Sequence, residues 1–237
     1  PLGAGSLCDA PVHPVFASVP PRCSAVTNGG SSVWLVEHVL SALAGLGITN
    51  AVVSVDHHEI PIMDGSAQAF VRAVLDAGIA EQDAAVVPVE LPKTVRVEHG
   101  DSWIEAIPSD APSYEYTIDY GSDSPIKRAT VEWDGDSSDY AHRVAPARTF
   151  CLKQEAEMLI AGGLFKHLAP GDMLVLDEDG PMDNELRDPE ECAHHKLLDL
   201  IGDVALFGSW INARFVAHKS GHSMAHALVR AIAETVD

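Results

Sequence analysis

Residues 36–48 read Val36-Glu37-His38-Val39-Leu40-Ser41-Ala42-Leu43-Ala44-Gly45-Leu46-Gly47-Ile48. Val36, Val39, Leu40, Leu43 and Leu46 recur at i, i+3, i+4, i+7 and i+10, one apolar stripe of helical period. The pattern predicts a helix starting at Val33 and stopped by Gly45 and Gly47. That helix carries a charged pair, Glu37-His38, among residues that are nearly all apolar. A second stretch echoes it: His195-Lys196-Leu197-Leu198-Asp199-Leu200-Ile201-Gly202-Asp203 again puts a histidine in the first turn of an apolar helix. A glycine-containing stop and a strand follow each one. The echo suggests two copies of one α/β unit facing each other.

Outward from residue 48, Ala51–Val55 predicts a buried strand, 59–66 a tight turn, and 67–77 a second helix ended by Gly78. The first 30 residues are rich in Pro, Gly and Ser, with strand-like pieces only at 15–17 and 25–26. A polar break at 81–85 changes the character of the chain. Alternating segments at 94–98, 103–107, 114–119 and 129–133, separated by turn residues, predict an antiparallel sheet. Beyond them a helix is expected after Thr149 to about 161, a strand at 173–176, a long helix over 189–207, and a closing strand and helix at 213–217 and 222–234. The simplest partition is two α+β domains, 1–85 and 86–237.

Of 237 residues, 46% are hydrophobic and the mean hydropathy is +0.06, which suits a globular chain with a sizeable core. The longest apolar stretch, 39–48, is interrupted by Ser41 and two glycines, far short of the roughly 18 residues a membrane span needs. Fifteen Lys and Arg against 35 Asp and Glu leave a net charge of −20. So acidic a surface repels phosphate backbones and argues against nucleic acid as a partner, while leaving room for a small phosphorylated ligand held by local cations. Cys8, Cys23, Cys151 and Cys192 form no CxxC pair, a usage that fits a reducing compartment. The N-terminus shows no basic region followed by an apolar one, so the expected location is cytoplasmic.

His195, Asp199 and Asp203 stand at i, i+4 and i+8, along one face of a mostly apolar helix. An imidazole and carboxylates buried there are costly unless compensated, and a divalent metal compensates them, with a further ligand from elsewhere. The competing reading is a helix with an exposed polar edge. Glu37-His38 offers a second metal-and-base pair, or a solvated helix start. His222, in Lys219-Ser220-Gly221-His222, sits where a strand yields to a helix, a place for a general acid or a cap. His57, His58, His142, His167, His218 and His226 lack a partner at ligand spacing and read as structural or solvated. Cys151 and Cys192 default to small buried hydrophobes.

Five segments in order carry a resemblance to a known family: 36–48, Glu59-Ile60-Pro61-Ile62-Met63-Asp64-Gly65-Ser66-Ala67, Ala147-Arg148-Thr149-Phe150, 195–203, and Lys219-Ser220-Gly221-His222. Over Val36 to the C-terminus the chain closely resembles the zinc-dependent UDP-3-O-acyl-N-acetylglucosamine deacetylases of lipid A biosynthesis (LpxC). The resemblance implies two βα domains forming a layered sandwich, with helices packed between two sheets. It implies one zinc, or Fe2+ as a substitute, held by His38, His195 and Asp199. Glu37 would be the base that activates water, Thr149 would help hold the oxyanion, and His222, oriented by Asp203, would stabilise charge or protonate the leaving amine. Phe150, Lys196 and Lys219 would meet a UDP-linked acylated amino sugar, and the enzyme is expected to be a monomer.

The chain departs from the family pattern in three places. The residues before the first helix look dissimilar and short of two strands, Cys151 replaces the usual glycine after Arg-Thr-Phe, and Phe165-Lys166-His167-Leu168-Ala169-Pro170 replaces a glycine-rich stretch. The last two changes touch the expected acyl passage, so a weaker preference for long chains is expected. An amidase for another acetamido sugar nucleotide, or a non-catalytic zinc-binding paralogue, are the alternatives.

Overall fold

The alternating segments between 95 and 133 do build a sheet, and its centre comes from the far end of the chain. In the computed structural model, which describes residues 6–9, 22–28, 31–163 and 173–236, the elements run as follows. The first part holds β1 (Ser6–Asp9), β2 (Ser24–Asn28), β3 (Ser31–Trp34), α1 (Glu37–Gly45) and α2 (Gln68–Ala77). Then come β4 (Val89–Glu90), β5 (Val95–His99), β6 (Ser102–Pro108), β7 (Ser113–Ile118), β8 (Ala129–Trp133) and α3 (Ser137–Asp139), which continues as a wider helical turn, Tyr140–Val144. The rest is β9 (Phe150–Leu152), α4 (Lys153–Ala161), β10 (Leu174–Asp177), β11 (Gly180–Pro181), α5 (Glu191–Ala205), β12 (Ile211–His218) and α6 (His222–Val236). The fold is mixed α+β.

The large sheet has the order β5-β6-β12-β7-β8, with β4 also beside β12. Strand β12 pairs antiparallel with β6 (Phe215 opposite Ala106) and parallel with β7 (Phe215 opposite Tyr114). The sheet is therefore mixed and not the antiparallel one its early strands suggested, because the central strand arrives only after the long helix. Ile211, Ala213, Phe215 and Ala217 alternate inward on β12 and meet the apolar faces of α5 (Leu197, Leu198, Ile201) and α6 (Leu228, Ile232). On its other side α1 packs Val36, Val39 and Leu40 against Val26 and Val33 of the β1-β2-β3 sheet. Helices thus lie between two sheets.

Two glycines set how closely the helices approach. A side chain at Gly202 on α5 would fall 2.1 Å from the Glu37 carbonyl oxygen, so the absence of a Cβ is what lets the start of α1 rest on α5. Gly45 accepts the Tyr140 ring in the same way, 2.3 Å from where its Cβ would stand, and the Tyr140 hydroxyl donates to Ser41 Oγ at 2.7 Å.

Several expectations need correction. The helix begins at Glu37 and not at Val33, because Ser31–Trp34 pairs with β2 and Trp34 also bonds His58 and Ile60, after which Leu35 takes a positive φ of 59°. Ala51–Val55 is neither buried nor in a ladder; among the described residues no strand pairs with it, and Val52 is 92% exposed. A short strand, β9, separates Thr149 from its helix by pairing parallel with β10. The helical turn at 137–144 was not foreseen. Phe165–Pro170 and His167 lie outside the described residues.

Candidate metal centre

The site forms where the first turn of α1 meets the middle of α5. His38, His195 and Asp199 each present a ligand atom, all within 4.8 Å of one another, and all three side chains are buried. His195 Nδ1 stands 3.1 Å from the Ala147 carbonyl. A carbonyl only accepts, so the ring carries its proton on Nδ1 and leaves the Nε2 lone pair toward the cluster. That Nε2 is 3.4 Å from Asp199 Oδ1, and His38 Nε2 is 3.7 Å from the same oxygen. The other oxygen of Asp199, Oδ2, accepts from Lys196 Nζ at 2.7 Å. Burial pushes the His195 imidazolium down to about 4, so the ring is a neutral donor. Burial would raise Asp199, but the charges of Lys196 and His222 outweigh it and hold the carboxyl well below its ordinary range. Two imidazoles and an ionised carboxylate converging on one point are a donor set suited to a divalent cation. Among the described residues this is the one such group.

Glu37 precedes His38 and is itself buried, its Oε2 accepting the Ser24 N–H at 2.9 Å. Burial raises its pKa, an effect only partly offset by His222 and His38, which makes the carboxylate a better base than a solvated one. Asp203 lies one turn beyond Asp199 and is not part of the cluster. Its Oδ2 meets His222 Nδ1 at 2.8 Å. Burial alone would strip His222 of its proton, but Asp203 and Asp199 win and raise its pKa to about 9. His222 Nε2 faces Asp199 Oδ2 at 3.8 Å. A buried carboxyl with a raised pKa and a protonated imidazole therefore stand beside the donor cluster.

Three candidates remain: Thr149, Phe150 and Lys219. Thr149 is half-buried beside the loop that bonds His195, its N–H donating to Gly65 O at 2.6 Å. Its neighbour Arg148 is locked by Glu191, Asn184 and the Glu185 carbonyl, so the loop is fixed from behind. The Phe150 ring stands edge-on to His195 with centroids 6.1 Å apart. Lys219, in a left-handed conformation with φ 54°, pairs with exposed Asp101, away from the cluster. Cys23, Cys151 and Cys192 are free thiols whose pKa burial raises to about 12, about 11 and about 12, as befits inert packing groups. Sequence reasoning missed Ser24, which touches Glu37 and Asp203, and Tyr116, whose hydroxyl donates to the Ser220 carbonyl at 2.5 Å and pins the turn before His222. Neither sits in a motif. The pairing of β2 with α1 and α5 is visible only in three dimensions.

A buried His-His-Asp cluster with a buried carboxyl and a charged histidine beside it is the arrangement of a metal-dependent hydrolase. The particular family follows from comparison. Residues 7–234 match the family described as LpxC, UDP-3-O-acyl N-acetylglycosamine deacetylase, and the chain belongs to it. It is 40% identical over 215 residues to the UDP-3-O-acyl-N-acetylglucosamine deacetylase of Actinobacillus succinogenes, covering 90% of this chain and 70% of that protein. Against the proteins of the same name in Haemophilus influenzae and Mannheimia succiniciproducens it is 40% and 39% identical over 220 residues, covering 89% of this chain and 70% of each. The match starts at residue 7, so the stretch before α1 that looked dissimilar is largely part of the family pattern.

Proposed function

We propose that this chain hydrolyses the acetamido group of a UDP-3-O-acyl-N-acetylglucosamine, releasing acetate and the free amine, as a step of lipid A biosynthesis. The observation that carries this reading is the buried His38–His195–Asp199 cluster set between Glu37 and the Asp203-bound His222. A zinc ion, or Fe2+, held by those three residues would supply Lewis acidity to the amide carbonyl and acidity to a water. The residues of the chain do the rest. Glu37, with its raised pKa, takes the proton of the attacking water. Thr149 offers a hydroxyl donor to the developing oxyanion. His222 carries a positive charge at neutral pH, which stabilises the tetrahedral species and provides the proton that the departing amine needs. Asp203 holds the His222 ring so that Nε2 points inward. Lys196 fixes the second oxygen of Asp199, and Phe150 walls the site beside His195.

Lys219, beyond the site on the turn before α6, is the cation assigned to the diphosphate, which would reconcile so acidic a protein with an anionic substrate. The division at residue 85 gives a first domain that carries Glu37-His38 and a second that carries His195, Asp199 and His222. The enzyme would act as a cytoplasmic monomer. No helix among the described residues is long and apolar enough to cross a membrane. Mass spectrometry of the UDP-sugar after incubation with metal-loaded protein tests the reading. Loss of one acetyl group is expected, and an unchanged sugar would reject it.

A further inference from the structure

Behind Asp203 lies a buried pair that the chemistry above leaves unused. Ser24, with no exposed surface, opens β2 and turns all its polar groups toward the site. Its N–H donates to Glu37 Oε2 at 2.9 Å and its carbonyl accepts the Val36 N–H at 3.3 Å. Its Oγ lies 2.5 Å from Asp203 Oδ1 and 2.6 Å from His226 Nε2. His226 follows His222 by one turn of α6, is 1% exposed, and holds Nε2 3.6 Å from Asp203 Oδ1.

The protons of this chain of contacts can be placed. Asp203 is ionised: burial opposes it, but His222 and its hydrogen bond dominate and depress the pKa strongly. A carboxylate only accepts, so the single hydroxyl proton of Ser24 goes to Asp203 Oδ1. The Ser24 oxygen must then be the acceptor for His226, which requires a proton on His226 Nε2. We propose that Ser24 and His226 are positioning residues of the deacetylase site. His226 Nε2–H donates to Ser24 Oγ and Ser24 donates to Asp203, fixing the carboxylate that orients His222, while the Ser24 amide fixes Glu37.

One residue on β2 thereby aligns both proton-handling groups, which belong to α1 and α6. Hydrogen bonds on both oxygens leave the Asp203 carboxylate one orientation, with Nδ1 of His222 on Oδ2 and Ser24 on Oδ1. A small misplacement of either group is expected to lower turnover while leaving substrate and metal binding intact.

The proposal rests on the function proposed above, so its test has one arm that needs no turnover. Nitrogen-15 spectra of histidine-labelled enzyme, with the His226 signal assigned by its absence in His226→Gln, should show a proton on Nε2. A bare Nε2 would overturn the proposal. In kinetics, Ser24→Ala and His226→Leu should each lower kcat about tenfold with KM and bound metal unchanged, whereas His226→Gln, whose amide nitrogen can stand in for Nε2, should recover most of the loss. Equal losses in His226→Gln and His226→Leu, or a Ser24→Ala enzyme within about twofold of wild type, would reduce the pair to packing. A wild-type protein that fails to deacetylate would reject the proposed function and leave the spectra to decide this network.

Discussion

At the seam of α1 and α5 the chain buries Glu37, His38, His195, Asp199 and Asp203, whereas a few residues beyond α1 it leaves Val52 92% and Val53 48% exposed. The two regions break the ordinary distribution of residues in opposite directions, and the consequences differ. Each exposed valine forgoes no more than about 1.5–3 kcal/mol of burial and strands no polar group. Each buried ion would cost several kcal/mol unless compensated, and here every one is compensated by a named neighbour: Lys196 for Asp199, His222 and Ser24 for Asp203, the Ser24 amide for Glu37. Exposed apolar surface is common and uninformative, while a concentration of satisfied buried charge marks chemistry. One hollow makes the same point. An apolar cleft of about 540 Å³, lined by Val36, Val39, Leu43, Val53 and Trp210 among others, shows no carboxylate, imidazole or amine among its described lining residues, and the reactive groups lie elsewhere.

The largest effects are expected at the seam. Glu37→Ala should keep its metal and lose about 10² or more in kcat, and His222→Ala should lose a similar amount, both measured under saturating substrate. A loss below about tenfold in either would make that group part of the seam's electrostatic balance and not of the reaction.

The pH dependence follows from two shifts of known sign. Glu37 has a pKa raised by burial, so activity should fall on the acid side as it takes up a proton. His222 is raised to about 9, so its charge is present at neutrality and is lost as pH rises through that value. A bell-shaped kcat/KM profile is expected, with the alkaline limb removed in His222→Gln. The same shift is linked to stability. The contribution of the imidazolium is complete below its ordinary pKa of 6.5 and disappears as pH climbs through about 9, which denaturant midpoints across that window should register.

How much of this was legible in the sequence depends on the kind of signal. The core helices were visible because a 3.6-residue period is local, and Glu37-His38 and 195–203 were visible because both sit on such helices. The start of α1 was misplaced since Val33 fits the helical stripe equally well, and only its pairing with Val26 across the hairpin makes it a strand. Ala51–Val55 looked like a core strand because a short apolar run cannot declare whether a neighbour exists to cover it. The insertion of β12 between β6 and β7 joins residues about a hundred positions apart, which no local pattern encodes. Spacing put Asp203 only on the same helix face as His195 and Asp199; its pairing with His222 of α6 came from the resemblance, and its contact with Ser24 of β2 from neither.

Smaller effects should separate the two regions further. Helix propensity alone says that Gly202→Ala should stabilise α5 by about 1 kcal/mol. The 2.1 Å approach to the Glu37 carbonyl predicts instead a destabilisation of about 1–3 kcal/mol and a drop in kcat as α1 is pushed away. A raised Tm would mean that the two helices are not so tightly apposed. Val52→Ser, at the opposite extreme, should change stability by less than about 0.5 kcal/mol and leave turnover unaltered.

The central claim is that a residue from α1 and two from α5 share one cation. Plasma emission spectrometry of purified wild type and His38→Ala, weighed against protein concentration, tests it most directly. About one divalent ion per chain is expected in the wild type, chiefly zinc, falling to a small fraction in His38→Ala although the protein still folds. A His38→Ala protein that retains the full complement of metal would contradict the claim, for the ion would then belong to α5 alone or to another part of the chain.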